Sequence, residues 1–402
     1  MNKEKQNNQM YHSGMLYFDP IYREHSREPV DIPPINAVPA FTMHKNPHEP
    51  YKAVRGAKIN DDCSVTLTIH EPEAREVYLA GKGYSLLEGP YMMVQNENGY
   101  FTVTLSGLHP GFYHIEFIVD GVRKLNPEMP MVFGCSTIVN FFEIPFPDED
   151  YYILKKVPHG TLRFEHIWSD ICDRYRGCWV YTPPGYDKHP DKRYPVLYIQ
   201  HGGGENEAAW IWTARINYIA DNYIAEGKME EMIIVCNTGF APKEVGEDIF
   251  VNESFEDVFI KEILPFIDSN YRTLPDRLHR AMAGLSMGGG QSRFIVHSHP
   301  DLFAWLGQFS SGAGFVVKSP DGYYGNPIDF SDLFKTPEHY NSLMKLTFIS
   351  CGTEDPRHSY TSKQCQELAD LGYNVEYHAY PGNHEWEPWR MSLRDFMPKL
   401  FK

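Results

Sequence analysis

The pattern of apolar and polar positions divides the chain into three parts. Residues 51–145 contain short segments in which apolar and polar side chains alternate, each bounded by glycine, proline or asparagine. A period of two is typical of half-buried β-strands, and several such strands separated by tight turns predict an all-β sandwich. The segments are VTLTIHEP, REVYLAGKG, YFTVTLSGL and YHIEFIVDG.

The 50 residues ahead of these strands are polar and rich in proline, as in REPVDIPPINAVPAF. Proline fixes φ and has no backbone N–H, so it is disfavoured in helix interiors and in central strands. We therefore expect residues 1–50 to form an extended arm.

The third part, residues 146–402, alternates short apolar runs with stretches of helical periodicity. This alternation predicts an α/β domain, in which helices cover both faces of a mostly parallel sheet. The expected strands are Tyr194–Gln200, Met232–Asn237, Leu346–Cys351 and Val375–Tyr380. The expected helices are Ala208–Glu226, Glu256–Tyr271, Gln291–His297 and Thr361–Leu371.

Charge excludes several classes of function. The 402 residues include 53 acidic and 37 basic side chains, which gives a net charge of −16, and there is no dense basic run. Nucleic acids and anionic membranes both require a basic surface, so neither is expected as a partner. The oligomeric state stays open.

Targeting signals and metal-binding patterns are absent from the sequence. The first residues, MNKEKQNNQMYHSG, lack the apolar core of a secretory signal, which predicts a cytoplasmic protein, or a secreted one if a leader was removed. Seven cysteines occur without a CxxC pair or zinc spacing, which indicates neither a disulfide framework nor structural zinc. We expect no metal and no other cofactor.

The segment Gly284-Leu-Ser-Met-Gly288 carries the sharpest chemical signal. This G-x-S-x-G motif lies between a strand-like segment and a helical one, the context in which Ser286 would sit on a sharp turn as an exposed nucleophile. Side chains at positions 284 and 288 would collide with nearby backbone, which favours glycine there. The backbone N–H of Met287 would face a developing oxyanion.

A second motif, His201-Gly-Gly-Gly204, directly follows a predicted strand. Its glycines allow the backbone to approach a substrate carbonyl, so Gly202 or Gly203 is expected to supply the second oxyanion donor. A phosphate-binding loop is disfavoured because neither a Lys-Ser/Thr pair nor G-x-G-x-x-G is present. We expect a structural role for His201.

The general base is expected after the nucleophile and the acid in chain order. His384 follows the last predicted strand, in the loop PGNHEW, and is our choice, with His358 as the rival. His378 falls inside a strand and is expected to pack there. His297 and His299 end the nucleophile helix, where a cationic or polar group suits the helix dipole.

The acid is expected after the penultimate strand, in the segment GTED. Asp355 is our choice to orient the imidazole, and Glu354 is its neighbouring competitor. Asp370 and Asp395 fall in helical patterns and are expected on solvated faces.

Several aromatic residues fall near the expected carboxyl edge of the sheet and are candidates to stack on a flat substrate group. From this set we select Trp210 and Trp386 as substrate-binding residues. The set comprises Trp210, Trp212, Phe240, Phe250, Phe255, Trp386 and Trp389.

Two family resemblances are carried by specific segments. Leu108–Tyr113 (LHPGFY), Phe117–Gly121 (FIVDG) and Asn126-Pro127 resemble the immunoglobulin-like early-set sandwich found in carbohydrate-binding module family 48. ILPFID at 263–268, TLPD at 273–276, the stretch from Arg280 to Gly290, HPDLF at 299–303 and the QHGGG element at 200–204 resemble esterase-D-like members of carbohydrate esterase family 1.

The second resemblance implies an α/β-hydrolase fold and the triad Ser286, Asp355 and His384, with Met287, Gly202 and Gly203 at the oxyanion. It implies a serine esterase, and feruloyl esterase is the expected activity, releasing hydroxycinnamates from arabinoxylan-derived saccharides. A small-molecule or oligosaccharide ester is then the substrate. The alternatives are an acetyl-xylan esterase, an enterobactin-type esterase, or a glycan-binding protein with an inactive esterase domain.

Overall fold

The computed structural model of the chain describes residues 56–402 except 61, 63, 84–86, 88, 145, 147–148, 243–253, 312–317 and 324–325. The arm expected over residues 1–50 therefore lies outside the described residues, as do Cys63 and Phe250. Two compact units divide the chain, Met1–Asp150 and Tyr151–Lys402.

The described residues of the first unit form ten strands in two antiparallel sheets. They are β1 (Ala57–Ile59), β2 (Val65–His70), β3 (Val77–Gly81), β4 (Tyr91–Met92), β5 (Val94–Gln95), β6 (Tyr100–Leu105), β7 (Gly111–Val119), β8 (Val122–Lys124), β9 (Met131–Gly134) and β10 (Thr137–Ile144). One sheet has the order β1-β2-β6-β5, and the other has the order β4-β3-β7-β10-β9, with β8 paired to β7.

The two sheets of the first unit share one apolar core. In β2 the side chains alternate between buried and less buried positions, because successive residues of a strand point to opposite faces. Val65 and Leu67 from one sheet and Ile115 and Phe117 from the other are buried in the same cluster.

The second unit is built on eight strands in one sheet. The described strands of the unit are β11 (Thr161–Ser169), β12 (Arg174–Thr182), β13 (Val196–Gln200), β14 (Ile233–Asn237), β15 (Arg280–Leu285), β16 (Trp305–Phe309), β17 (Lys318–Tyr323), β18 (Asn326–Asp329), β19 (Leu346–Gly352) and β20 (Val375–Tyr380). The sheet order is β11-β12-β14-β13-β15-β16-β19-β20, while β17 and β18 form a separate two-stranded sheet. Six strands of the large sheet run parallel to one another: β13, β14, β15, β16, β19 and β20. Strands β11 and β12 are antiparallel to their neighbours.

Helices connect these strands. The described α-helices are α1 (Ala209–Trp212), α2 (Ile216–Ala225), α3 (Phe255–Val258), α4 (Leu264–Asn270), α5 (Met287–Ser298), α6 (Pro337–Leu343), α7 (His358–Asp370) and α8 (Trp386–Phe396), with a π-helical stretch Phe259–Ile263 joining α3 to α4. None of the helices in the described residues is long and apolar enough to cross a bilayer.

Helices on both faces explain why the central strands are apolar throughout. Every residue of β13 to β16 is buried. In β16, Leu306 belongs to a core cluster with residues of α3, α4 and α5, whereas Phe309 contacts Phe396 of α8. Because alternate residues of a strand face opposite sides, these helices cover opposite faces of the sheet.

The predicted helix over Ala208–Glu226 is wrong in its continuity. The structure has α1 and α2 instead, separated at Arg215, which takes a left-handed backbone conformation with φ of 60°. The Arg215 guanidinium lies over the Tyr152 ring. The chain therefore turns sharply at Arg215, where the side chain makes a tertiary contact. Helical periodicity does not predict this turn.

Parallel strands place their carboxyl ends at one edge of the sheet. The loops that leave this edge after β13, β15, β19 and β20 contain the four sequence motifs that carry chemistry: 201–204, 286, 353–355 and 381–385. The carboxyl edge is also where open α/β sheets bind their ligands.

Candidate active site

Ser286 occupies a strained turn between β15 and α5. Its φ of 50° and ψ of −117° lie outside the regions that non-glycine residues favour. The Ser286 backbone N–H donates to Phe309 O at 2.8 Å, which ties the turn to the neighbouring strand β16. Such strain at a single polar residue is a feature of functional sites.

Two glycines make this turn sterically possible. A Cβ at Gly284 would lie 2.4 Å from the backbone carbon of Gly288. A Cβ at Gly288 would lie 2.5 Å from His201 O and 2.6 Å from Gln200 O. Because all of these atoms belong to the backbone, neither position can accept a side chain without displacing the chain.

A continuous hydrogen-bonded chain joins Ser286, His384 and Asp355. Ser286 Oγ lies 2.9 Å from His384 Nε2, and His384 Nδ1 lies 2.7 Å from Asp355 Oδ2. The histidine and aspartate side chains are buried. In this geometry Nδ1–H donates to the carboxylate, and Nε2 is left to accept the serine proton.

Arg357 adds a cation to the carboxylate end of this chain. Its backbone N–H donates to Asp355 Oδ1 at 2.9 Å, and its guanidinium Nη1 lies 3.2 Å from the same oxygen and 3.4 Å from His384 Nδ1. Burial alone would raise the pKa of Asp355. The hydrogen bonds from His384 and the Arg357 backbone, together with the charge of Arg357, outweigh burial and hold that pKa below its usual range.

The loop that carries His384 is fixed by side chains that accept hydrogen bonds from its backbone and by a ring contact. His384 N donates to Asn383 Oδ1 at 2.8 Å, and Asn383 N donates to Glu385 Oε1 at 2.8 Å. The carboxylate of Glu354 accepts from the backbone N–H of Gly382. The Trp389 ring meets the imidazole edge to face, with ring centroids 5.1 Å apart. The imidazole is therefore held from several sides.

The competing residues lie elsewhere. His358 Nδ1 is 2.7 Å from the hydroxyl of Tyr377, so this histidine is engaged at the start of α7. Glu354 anchors the loop at Gly382 rather than orienting the imidazole. Asp395 accepts from the Tyr380 hydroxyl at 2.7 Å.

The HGGG loop lies against the serine turn. A Cβ at Gly202 would lie 2.5 Å from a methyl carbon of Leu285 and 3.6 Å from Ser286 Cβ, so the Gly202 backbone closely approaches the turn. Gly203 follows in the same loop and is half-buried. Met287 is the first residue of α5, at the end of the helix where N–H groups and the positive pole of the dipole point outward.

His201 holds this loop in place. Its Nδ1 lies 2.8 Å from Gly202 O, and its Nε2 accepts from the backbone N–H of Gly239 at 2.9 Å. Burial lowers the pKa of His201 to about 4, partly offset by the bond to Gly202. The neutral imidazole thus donates on one side and accepts on the other, linking two loops.

Trp210 and Trp386 require a correction. Both indoles are buried, and they meet edge to face with centroids 5.5 Å apart. Trp210 Nε1 also donates to Gln200 O at 2.8 Å. They therefore pack beneath the site and offer no face to a substrate ring, contrary to the stacking role expected from sequence.

The remaining histidines divide between packing and pairing. His378 stacks on Phe348 with centroids 4.3 Å apart, a packing role within its strand. His299 Nε2 lies 2.8 Å from Glu256 Oε1. Burial, followed by the charge of Arg293, lowers the pKa of His297 to about 3, which favours a neutral polar ring over a cationic one at this end of α5.

Sequence reasoning missed the parts played by Arg357 and Glu354. Arg357 is only two residues after Asp355, and a basic residue so close to the expected acid was the available signal. The contact of Glu354 with Gly382 joins two loops that are distant in sequence, which no local pattern indicates.

The chain is similar to a sequence family, a relative and solved structures that are described as esterases. A family model described as "Putative esterase" matches residues 169–316. An endo-1,4-beta-xylanase/feruloyl esterase of Xylanibacter ruminicola is 32% identical over 358 residues, which cover 86% of this chain and 46% of the relative. The chain thus spans about half the length of that relative.

Solved structures share the fold. A ferulic acid esterase from Anaeromyces mucronatus in complex with ferulic acid is 25% identical, with a TM-score of 0.53, and the match covers 64% of this chain and 96% of that one. The enterochelin esterase of Shigella flexneri is 14% identical, with a TM-score of 0.63, over 86% of this chain and 95% of that one. The second unit therefore has an α/β-hydrolase-type fold.

Proposed function

We propose that this protein is a serine carboxylic ester hydrolase. The observation that carries the proposal is the hydrogen-bonded chain from Ser286 through His384 to Asp355, with Oγ···Nε2 at 2.9 Å and Nδ1···Oδ2 at 2.7 Å. A hydroxyl, an imidazole and a carboxylate in this order form the arrangement that activates serine for acyl transfer. The same arrangement argues against a glycan-binding protein with an inactive esterase domain.

The first half of the reaction forms an acyl-enzyme. His384 Nε2 takes the proton of Ser286 Oγ as that oxygen attacks the ester carbonyl carbon. The backbone N–H groups of Met287 and of Gly202 or Gly203 hold the resulting oxyanion. The tetrahedral intermediate collapses, the bond to the leaving alkoxide breaks, and protonated His384 gives its proton to that oxygen.

The second half of the reaction releases the acid. A water molecule replaces the alcohol, and His384 takes its proton as the oxygen attacks the acyl carbon. Collapse of this second intermediate breaks the bond to Ser286 Oγ, which regains its proton from His384. Asp355 remains ionised throughout and stabilises the imidazolium that forms in each half.

We further propose that the acyl group is a hydroxycinnamate and that the alcohol belongs to a plant cell-wall saccharide derived from arabinoxylan. The support is the relative named endo-1,4-beta-xylanase/feruloyl esterase and the likeness to an esterase solved with ferulic acid. An acetyl-xylan esterase is the nearest alternative. The likeness to enterochelin esterase is one of fold, and a net charge of −16 gives no attraction for an anionic ferric catecholate.

For the first unit we propose the immunoglobulin-like early-set sandwich that its sequence resembles. Its two antiparallel sheets around one core support this assignment. The Tyr113 hydroxyl donates to His109 O at 2.7 Å, four residues earlier in the chain, as in the tyrosine corner of such sandwiches.

The test is hydrolysis by the full chain of methyl ferulate, p-nitrophenyl acetate, acetylated xylan and enterobactin. We expect methyl ferulate to have the highest kcat/KM of the four. Ser286→Ala should lower kcat roughly 10⁴–10⁶-fold, because the nucleophile is lost while the oxyanion donors remain.

Ser298→Ala, at the opposite end of the same helix, is the matched control and should leave kcat within about twofold of the wild type. Near-native turnover by Ser286→Ala would remove Ser286 as the nucleophile. A clear preference for acetylated xylan or enterobactin would replace the proposed acyl group while leaving the serine mechanism intact.

A further inference from the structure

The hairpin of β11 and β12 carries a row of aromatic side chains on one face. The register pairs Phe164 with Trp179, His166 with Gly177, and Trp168 with Tyr175. Because these positions alternate along both strands, their side chains lie on the same face of the hairpin. We call Phe164, His166, Trp168, Tyr175 and Trp179 the aromatic face.

This face is open to solvent. Tyr175 is 68% exposed, Trp168 47% and Phe164 40%. The rings nevertheless contact one another: Trp168 and Tyr175 have centroids 5.2 Å apart, and Phe164 and Trp179 have centroids 4.9 Å apart. Single exposed apolar side chains are ordinary, whereas a contiguous row of them marks a binding surface.

A glycine, Gly177, leaves the middle of the aromatic face without a side chain of its own. A Cβ at Gly177 would lie 2.8 Å from the end of the Phe164 ring and 2.6 Å from Glu207 Oε1. Because Gly177 has no side chain, the Phe164 ring and the Glu207 carboxylate can both pack against its backbone. Glu207 brings a hydrogen-bond acceptor to the rim of an otherwise aromatic surface.

The aromatic face lies at the carboxyl edge of the large sheet. The last residue of β14, Asn237, pairs with Cys178, so the rungs at Gly177 and Tyr175 extend past the end of β14. Buried Arg176 fixes this extension by donating to Thr238 O at 2.7 Å and to Phe240 O at 2.6 Å.

The inner end of the aromatic face meets the segment that follows the HGGG loop. Trp179 contacts Trp212 of α1, with centroids 5.8 Å apart. Glu207 and Trp212 lie only five and ten residues after Gly202. The loop at residues 238–240 gives a second link, because Gly239 N–H donates to His201, which also bonds to Gly202 O.

We propose that the aromatic face binds the saccharide chain of the ester substrate, on the alcohol side of the scissile bond. This proposal rests on the proposed function, because the substrate must carry a saccharide. From Phe164 to Trp168 the face spans about 13 Å along the strand, which is longer than a single sugar ring. A chain held there would lead inward past Glu207 to the HGGG loop.

The chemistry of the aromatic face favours a neutral saccharide over other occupants. Sugar rings present C–H faces to aromatic rings and hydroxyls at their edges, so they match a row of flat rings bordered by polar groups. The carboxylates of Glu207 and Asp170 border this row, and Asp170 Oδ1 accepts from Trp168 Nε1 at 2.9 Å. These acidic groups and the net charge of −16 disfavour an anionic ligand.

The experiment compares esters that differ only in the length of the saccharide. Wild-type protein and the double variant Trp168→Ala/Tyr175→Ala are assayed with methyl ferulate and with feruloylated arabinoxylo-oligosaccharides of increasing length. We expect the double variant to lose roughly tenfold in kcat/KM on the longest substrate, mainly through KM, and to match the wild type on methyl ferulate.

Two further variants control for indirect effects. Trp168→Phe keeps an aromatic ring and should retain most of the activity on the longest substrate. Leu278→Ala removes a comparably exposed apolar side chain, 43% exposed, from the amino-terminal edge of the sheet and should change neither activity. Equal losses on methyl ferulate and the longest substrate, or no loss on either, would overturn the proposal.

Calorimetric titration with unesterified xylo-oligosaccharide separates this proposal from the proposed function. Binding by the wild type that the double variant loses supports the aromatic face even if no feruloyl ester is hydrolysed. No binding, together with no advantage of long substrates over short ones, overturns it even if methyl ferulate is hydrolysed. A wild-type dimer that the double variant dissociates in sedimentation would assign the face to a second copy of the chain and would also overturn it.

Discussion

At the scale of single residues, the site depends on one imidazole held between a hydroxyl and a carboxylate. Arg357 distinguishes this site from a bare triad, because its guanidinium lies 3.2 Å from Asp355 Oδ1 and 3.4 Å from His384 Nδ1. A cation at this position favours the ionised form of the Asp355 carboxylate. We therefore expect Arg357 to be a positioning residue that acts through Asp355.

Replacing Arg357 by methionine should lower kcat on methyl ferulate roughly tenfold and leave KM nearly unchanged. Without the guanidinium bond to Asp355 Oδ1, the carboxylate that orients His384 is held less firmly. Steady-state kinetics on methyl ferulate measure both constants.

Arg357→Lys keeps a cation near Asp355 and is the matched variant for this prediction. Its kcat should stay near that of the wild type. An unchanged kcat in Arg357→Met would show that the guanidinium does not help to hold the Asp355 carboxylate in place.

At the scale of elements, the serine turn packs where a strand, a loop and a helix meet. The backbone carbonyls of Gln200 and His201 lie where a Cβ of Gly288 would point, so β13, the HGGG loop and α5 meet at this glycine. The strained backbone of Ser286 persists because these elements surround it.

Gly288→Ala should disrupt this contact. Its methyl group would lie 2.5 Å from His201 O and would push α5 away from the HGGG loop. We expect a destabilisation of roughly 2–4 kcal/mol and a loss of kcat of at least about 100-fold, because the oxyanion donors and the nucleophile no longer align. Denaturant unfolding and steady-state kinetics measure the two effects.

Gly227→Ala is the control, because a Cβ at Gly227 meets no atom within 4 Å although its φ is +67°. That substitution should cost only about 1 kcal/mol of backbone strain and leave kcat unchanged. Equal effects of the two alanines would show that the close approach at Gly288 is unimportant.

At the scale of the whole molecule, three buried histidines couple folding to pH. Burial lowers the pKa of His114 and His201 to about 4, and burial together with Arg293 lowers that of His297 to about 3. His114 lies in the first unit, and the other two lie in the second. Both units therefore contain a group that must stay neutral to remain buried.

We expect stability to fall as the pH is lowered from about 6.5 to about 4. In that window the unfolded chain binds protons at these histidines and the folded chain does not, so protonation favours unfolding. Above the ordinary histidine pKa the rings are neutral in both the folded and the unfolded state, and the free energy of unfolding has its full value. Acidification lowers that free energy by on the order of 3 kcal/mol per group. Urea unfolding at a series of pH values measures the slope.

His297→Leu should flatten this slope, since the ring environment of His297 includes Phe330 and Phe334 and accepts an apolar group. His109→Gln replaces an exposed histidine and should leave the slope unchanged. A stability that does not vary between pH 6.5 and 4.5 would contradict the prediction.

Sequence determined the features of this protein that depend on local rules. Glycines at 284 and 288 were expected from the sharpness of the turn, and the structure shows backbone atoms within 2.6 Å of where their side chains would lie. Apolar runs identified β13, β14 and β19, whose residues are all buried because helices cover both faces of the sheet. The run at β20 was identified too, although β20 lies at the edge of the sheet and is only partly buried. Chain order selected Ser286, Asp355 and His384, which the structure joins by hydrogen bonds, while their catalytic roles stay predictions.

Only the tertiary structure decided which side chains are exposed and which distant loops meet. Periodicity gave no sign of β11 and β12, because their outer face is aromatic rather than polar and breaks the expected alternation. Trp210 and Trp386 were taken for substrate contacts but are buried, since burial depends on neighbours from distant parts of the chain. The placement of Arg357 between a carboxylate and an imidazole arises in the same way, because β19 and β20 bring loops 29 residues apart together at one edge of the sheet.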